Sequence, residues 1–154
     1  MKRRFAQSVI GMGDISEIET ALDERRAAAR AAFFLRDIAA YADISSDDLE
    51  YIQTDGIVIG RSSLMRSVGT QFKRLIRADS SFNREEIEIS DGEVSETVSQ
   101  TASAEASAFG LIHRTWRLLR RGRYTWRNTD GVWKIARVHV LSEEVLSDGW
   151  RFGL

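Results

Sequence analysis

From residue 93 to residue 108 the chain reads EVSETVSQTASAEASA, and no other stretch limits the fold so tightly. The odd positions, Glu93, Ser95, Thr97, Ser99, Thr101, Ser103, Glu105 and Ser107, are all polar. The even positions hold Val94, Val98 and alanines at 102, 104, 106 and 108, interrupted only by Glu96 and Gln100. A period of two sustained this long describes a strand with one face toward water and the other toward protein. A helix would scatter the same serines around its whole circumference.

The next segment, 111–127, continues the pattern. Its even positions carry Trp116, Leu118, Arg120, Gly122, Tyr124 and Trp126, while its odd positions are mostly Thr and Arg. The connection near Phe109-Gly110 is short, so the two strands are expected to be antiparallel neighbours. With Glu105 near His113, Val98 comes opposite Arg120 and Val94 opposite Tyr124, and the two apolar faces coincide. A third strand follows Asn128-Thr129-Asp130-Gly131, which suits a type I turn with a glycine bulge. That turn places Lys134, Ala136, Val138 and Val140 on the face of Tyr124 and Trp126. A loop longer by one residue places Trp133, Ile135, Arg137 and His139 there instead, and both readings stand.

Upstream the period is helical. Asp14 and Glu17 form a capping-box pair, and Ile18, Ala21, Leu22, Ala28, Ala29, Ala32 and Phe33 recur at three- and four-residue spacing. The cluster ADISSDD (42–48) reads as the loop ending this region, and LEYIQTDGIVIG (49–60) as a hairpin turning at Asp55-Gly56. Ser62 is the expected cap of a second helix lined by Leu64, Val68, Phe72, Leu75 and Ile76. The expected architecture is α+β, one domain over residues 1–154, with N-terminal helices packed on one face of an antiparallel sheet.

Composition removes several chemistries. The chain has no cysteine, which excludes disulfides, thiolate nucleophiles and thiolate metal sites. Two distant histidines form no metal-ligand cluster, so neither metal nor cofactor is expected. The glycines at 11–13 and 56–63 lack the phosphate-loop lysine and the dinucleotide fingerprint, and no nucleophile-elbow sequence occurs. The apolar part of MKRRFAQSVIGMGD is too short for a secretory leader, and nothing approaches a membrane span, so a cytoplasmic location without membrane contact is expected. Net charge is −1, but residues 85–105 are acid-rich and 114–127 basic. These stretches either attract across a sheet or form an anion or RNA surface. The first reading is preferred, and no nucleic-acid partner is expected.

The stretch GRYTWRNTDGVWKIARVHVLS resembles the nuclear transport factor 2-like superfamily, particularly its small bacterial SnoaL-like members. The resemblance rests on Trp126, Asp130, Gly131, Trp133, Lys134 and Ile135, with His139 downstream. RDIAAYADISSDDLEYIQTDGIVIGRSSL is similar to the family's helix end, acidic loop and first hairpin. The likeness covers about residues 14–142, leaving an extension at each end. It implies a strongly curved sheet around a long helix, a pocket at the open end of the cone, and a homodimer. Members include ketosteroid isomerases, scytalone dehydratase, limonene epoxide hydrolase, polyketide cyclases and plain binding modules. Dehydratase-like members pair an aspartate of the long helix with a histidine from an early strand. Here RAAARAAFFL offers no inward carboxylate, and no histidine precedes residue 113.

The sheet pattern nominates its own site. Glu96, Gln100 and Arg120 interrupt an inner face otherwise lined by Trp116, Tyr124 and Trp126, the usual makeup of a small-molecule pocket. In the register above, Arg120 lies diagonally near Glu96 and Gln100. One reading makes Glu96 a general base and Arg120 the holder of an anionic group or enolate; the other makes them a structural pair at the sheet rim. His139 is the second acid–base candidate, against a packing role. His113 belongs to the outer face. Tyr41 and Tyr51, near the cone mouth by resemblance, either donate hydrogen bonds to a ligand or pack. Two functions remain: a cofactor-independent isomerase, dehydratase, cyclase or hydrolase acting on a small apolar or aromatic substrate, or a non-catalytic ligand-binding or protein-assembly module. The polar outer faces of the long strands would make the expected homodimer interface a wet one.

Overall fold

A computed structural model describes the backbone of residues 1–5, 14–108 and 112–152, and the side chains of these residues except at 3–5, 108, 112–113 and 147–152. The elements run β1 (Lys2–Phe5), α1 (Ile15–Leu35), α2 (Ile38–Ala42), β2 (Ser45–Ile52), β3 (Val58–Gly60), α3 (Arg61–Phe72), β4 (Leu75–Ser90), β5 (Glu93–Ala108), β6 (Ile112–Thr129) and β7 (Val132–Phe152). All seven strands form one sheet in the order β1-β4-β5-β6-β7-β2-β3. The four long strands are antiparallel; β1 joins β4 and β2 joins β7 in parallel. A short strand, β1, precedes the N-terminal helices and joins the sheet edge at β4. The fold is α+β, with helices packed on a curved sheet.

Helix α1 opens as its sequence dictates: the Asp14 carboxylate accepts the Glu17 N–H at 2.9 Å. It closes where no glycine or proline marks an end. Arg36 adopts φ 57°, Arg36 N–H donates to Phe33 O at 3.1 Å, and Asp37 N–H to Ala32 O at 2.9 Å, a Schellman closure on a non-glycine residue. Asp37 then caps the short α2 through Ala40 N–H. Strand β2 begins at Ser45, so the expected 42–48 loop shrinks to Asp43 and Ile44. Helix α3 starts after Gly60, which makes no side-chain cap, and not at Ser62. It stops at Phe72, and Leu75 and Ile76 open β4 because that strand pairs with β5 as far as Ala106.

Strands β5 and β6 pair with Val94 opposite Trp126, Glu96 opposite Tyr124, Val98 opposite Gly122 and Gln100 opposite Arg120. This is two residues away from the expected register. A slip of two keeps every side chain on its face, so the face assignments hold while the neighbours change. The Phe109-Gly110 connection, the His113 side chain and the glycines at 11 and 13 lie outside the described residues.

The β6–β7 turn is one residue tighter than a type I turn with a bulge. Thr129 pairs with Val132 across Asp130 (φ 52°) and Gly131 (φ 84°), a two-residue type I′ turn. The two alternatives for the following strand are then both realised. Asn128 pairs with Trp133 and Trp126 with Ile135, but Thr125 pairs with Arg137 and Tyr124 with Val138. Ala136 is the extra residue, and this bulge reverses the facing of the strand. Trp133 is buried before it, Val138 and Val140 after it, and Arg137 and His139 point outward.

Ile18 and Leu22 of α1 meet Ile87, Ile89, Val94, Trp126 and Trp133 of the sheet in the main core. On the opposite sheet face the acid-rich and basic stretches pair across strands, Arg121 with Glu85 at 2.8 Å and Arg127 with Glu93 at 3.1 Å, and two further pairs join Arg137 to Glu50 at 3.0 Å and Arg77 to Glu105 at 2.9 Å. Thr97, flanked by Glu86 and Arg123, is buried on this polar face beneath longer neighbours.

Candidate functional site

The site is built on a charged floor. Glu96 points inward from β5 and is 1% exposed. Its carboxylate accepts from Arg84 Nε at 2.7 Å, from the Trp126 indole N–H at 2.9 Å and from Arg26 Nη2. Arg84 continues to Asp23 of α1 at 2.6 Å. Burial pushes the Glu96 carboxyl up, but Arg26 and Arg84 together outweigh it and hold it below the ordinary carboxylate value. An anion so held is a poor proton acceptor.

Arg26 closes the floor. Its guanidinium carbon lies 5.0 Å from the Phe82 ring centroid, 5.5 Å from Tyr124 and 5.7 Å from Trp126, so a cation on α1 is enclosed by aromatic faces. Above it is a cavity of about 480 Å³ between α1, α3 and the inner sheet face. This volume is in the range of small-molecule sites. The alanines at 102 and 104, whose small side chains carried the strand pattern, leave this space open opposite Leu118 and Trp116. Phe33, Tyr41 and Phe72 pack edge to face along the helical side, at centroid separations of 4.9–6.3 Å. Tyr41 is thus walled in on most sides but keeps a surface toward the cavity.

The polar end of the cavity centres on Arg120. Its Nε and Nη2 donate to one Glu143 oxygen at 2.7 and 2.6 Å. Tyr41, Tyr51 and Tyr124 stand around it. Burial raises all three phenols, Tyr41 to about 12, against the opposing pull of the Arg120 charge, so each keeps its proton at neutral pH. Gly122 makes the arrangement possible. A Cβ at that position would sit 3.1 Å from Tyr124 Cε2, so the missing side chain is the space over β6 that the Tyr124 ring fills.

Of the residues singled out by sequence, Gln100, Trp116, Arg120, Tyr41 and Tyr51 meet around one cavity. Trp126 is core, and Tyr124 stands behind the wall. The expected Glu96–Arg120 neighbourhood is absent: with Arg120 opposite Gln100, Glu96 lies four residues along the strand, roughly 13 Å away. His139 is exposed on the outer face and reaches no part of the cavity, because the bulge at Ala136 turns it outward. Arg26, Phe82, Gly122 and Glu143 were missed. Arg26 could have been found, since Leu22, Arg26, Ala29 and Phe33 share one helical stripe. Glu143 could not be placed beside Arg120, because the bulges at Ala136 and Leu141 cancel in its facing but move its partner from Leu118 to Arg120. Among the described residues no cluster of His, Asp and Glu could hold a metal ion, and no helix is long and apolar enough to cross a membrane.

The SnoaL-like domain model matches residues 18–142. The chain belongs to the SnoaL-like family. It therefore sits in the nuclear transport factor 2-like superfamily, and the solved structures agree in fold. A conserved protein from Planctomyces limnophilus superposes on this SnoaL-like domain with TM-score 0.72 at 17% identity, covering 86% of this chain and 98% of that one. A candidate scytalone dehydratase from Novosphingobium aromaticivorans gives 0.70 at 14% identity, covering 84% and 88%. The hexachlorocyclohexane dehydrochlorinase LinA-type3 of Novosphingobium barchaimii gives 0.61 at 16%, covering 89% and 90%. No curated protein matches the SnoaL-like chain.

Proposed function

We propose that this SnoaL-like domain binds a small, flat, largely apolar molecule in the cavity between α1, α3 and the inner sheet face. The observation that carries the reading is the lining itself: Phe33, Phe82, Trp116 and Leu118 provide apolar walls, while Arg120, Gln100, Tyr41 and Tyr51 supply polar contacts at one end. Solved structures of the same fold bear the names of a candidate scytalone dehydratase and a hexachlorocyclohexane dehydrochlorinase.

Binding is favoured over proton-transfer catalysis by the state of the acids. Asp79 and Glu143, the carboxylates lining the cavity, are each ion-paired, to Arg30 and Arg120. Among the described residues no histidine lines it. Titration calorimetry with 2-naphthol, uncharged at neutral pH, tests the reading. Ala102→Phe should fill the cavity and weaken binding at least tenfold while the fold persists. Equal binding by the filled variant would place the ligand elsewhere and defeat the proposal.

The same reading takes the protein as a homodimer joined through the charged outer face, with its ion-pair ladder partly rearranged between protomers. Such an interface is polar and wet, so its association should weaken with salt. A monomer by light scattering at high micromolar concentration and low salt would contradict it.

A further inference from the structure

The donors and acceptors at the polar end of the cavity are unequal. A guanidinium carries five N–H donors; the bonds to Glu143 use two of them and the hydrogen bond to Tyr124 a third. Tyr41 and Tyr51, which line the cavity, each add an O–H. The anionic acceptor that meets Arg120 is Glu143, and the amide of Gln100, which both accepts and donates, lies directly opposite Arg120 on β5. We propose that the molecule bound here carries a carboxylate or an equivalent fixed oxyanion on an aromatic frame, and that its anionic end replaces Glu143 on the guanidinium of Arg120. This rests on the ligand-binding reading above and names the chemical class of the ligand.

Glu143 has the properties of a resident counter-ion. It is about a third exposed, against 23% for Arg120, and it is followed in β7 by exposed Glu144, Val145 and Leu146. It satisfies a guanidinium that would be costly to bury alone. An incoming carboxylate exchanges one charge-assisted pair for another, and Glu143 returns to water. The aromatic frame then lies between Trp116, Leu118 and Phe82, where edge-to-face and apolar contacts are available. An uncharged acceptor gains the phenol hydrogen bonds but not the ion pair.

The test compares 2-naphthoate with 2-naphthamide, of similar size and differing in charge, by titration calorimetry at neutral pH. The proposal expects naphthoate to bind at least tenfold tighter, and Arg120→Met to reduce that preference to within about twofold. Glu143→Gln should enlarge it at least threefold, by removing the competing anion; this variant also serves if Arg120→Met does not fold. Equal binding of the two compounds, or a preference unchanged or reduced in Glu143→Gln, overturns the oxyanion assignment while leaving the aromatic pocket intact. Binding of neither compound overturns both.

Discussion

The Trp126 indole N–H donates to Glu96 at 2.9 Å, on the same carboxylate oxygen that Arg26 holds from α1. One buried acid thereby ties the long helix, β4 through Arg84, and β6 into a single floor. Removing one partner of a buried ion pair leaves uncompensated charge, at a cost of about 3–5 kcal/mol. Glu96→Gln should therefore lose about 3 kcal/mol, measured by urea unfolding. A loss below 1 kcal/mol would mean that the floor is hydrated and not structural.

The same group sets an acid dependence. The folded Glu96 carboxyl is held below its ordinary value, so the unfolded state takes up its proton first as pH falls. Its contribution is complete above the unfolded value of about 4.3 and is lost as pH drops through the lower folded value. Unfolding free energy should fall below about pH 4 more steeply in the wild type than in Glu96→Gln. Parallel pH profiles of the two proteins would contradict this.

Alkali should act through the phenols. Burial raises Tyr41 to about 12, so the folded state holds a proton that the unfolded chain releases near pH 10. Tyr41 contributes in full below about pH 10, and that contribution declines as pH climbs toward about 12. Tyr41→Phe should flatten the loss of stability over this interval, followed by chemical denaturation at fixed ionic strength. An unaltered alkaline slope would show that Tyr41 titrates freely.

Gly122→Ala tests the contact behind the pocket wall. The new methyl would lie 3.1 Å from Tyr124 Cε2 and 3.5 Å from the His139 carbonyl oxygen, so the ring must move. Overpacking of this kind costs about 1–3 kcal/mol, and it displaces the phenol from Arg120. Melting and naphthoate affinity should fall together. A variant as stable as the wild type would show that the ring has another resting place.

At the β6–β7 turn the requirement is conformational. Gly131 at φ 84° meets nothing that a Cβ would touch, so Gly131→Ala isolates backbone strain, expected at about 1–2 kcal/mol. Asp130→Asn, at φ 52°, should change stability by only a few tenths of a kcal/mol, because asparagine suits this turn position. Equal effects of the two substitutions in urea would contradict the type I′ assignment.

Much of this was legible in the residues. The alternation of 93–108 placed Glu96, Gln100 and the alanines on the inner face, and a two-residue slip in pairing left that untouched. What the slip did change was partnership, because cross-strand neighbours depend on loop length while faces depend only on parity. Glu96 thus passed from Arg120 to Arg26 and Arg84, arginines on other elements. The bulges at Ala136 and Leu141 were invisible, since neither residue differs from an ordinary strand residue. They decided that His139 faces outward and that Glu143 meets Arg120 instead of Leu118. The αL closure at Arg36 was equally silent, having no glycine to announce it.

The central claim is that a small aromatic molecule occupies the cavity between Trp116 and Arg120. The indole N–H signals of uniformly labelled protein read this directly during titration with 2-naphthol, because Trp116 lines the cavity while Trp126 is sealed beneath it against Glu96. The account predicts a saturable shift of the Trp116 signal, with Trp126 unmoved until the cavity is full. A Trp116 signal that stays fixed at saturating naphthol, or moves no more than Trp126, would contradict it.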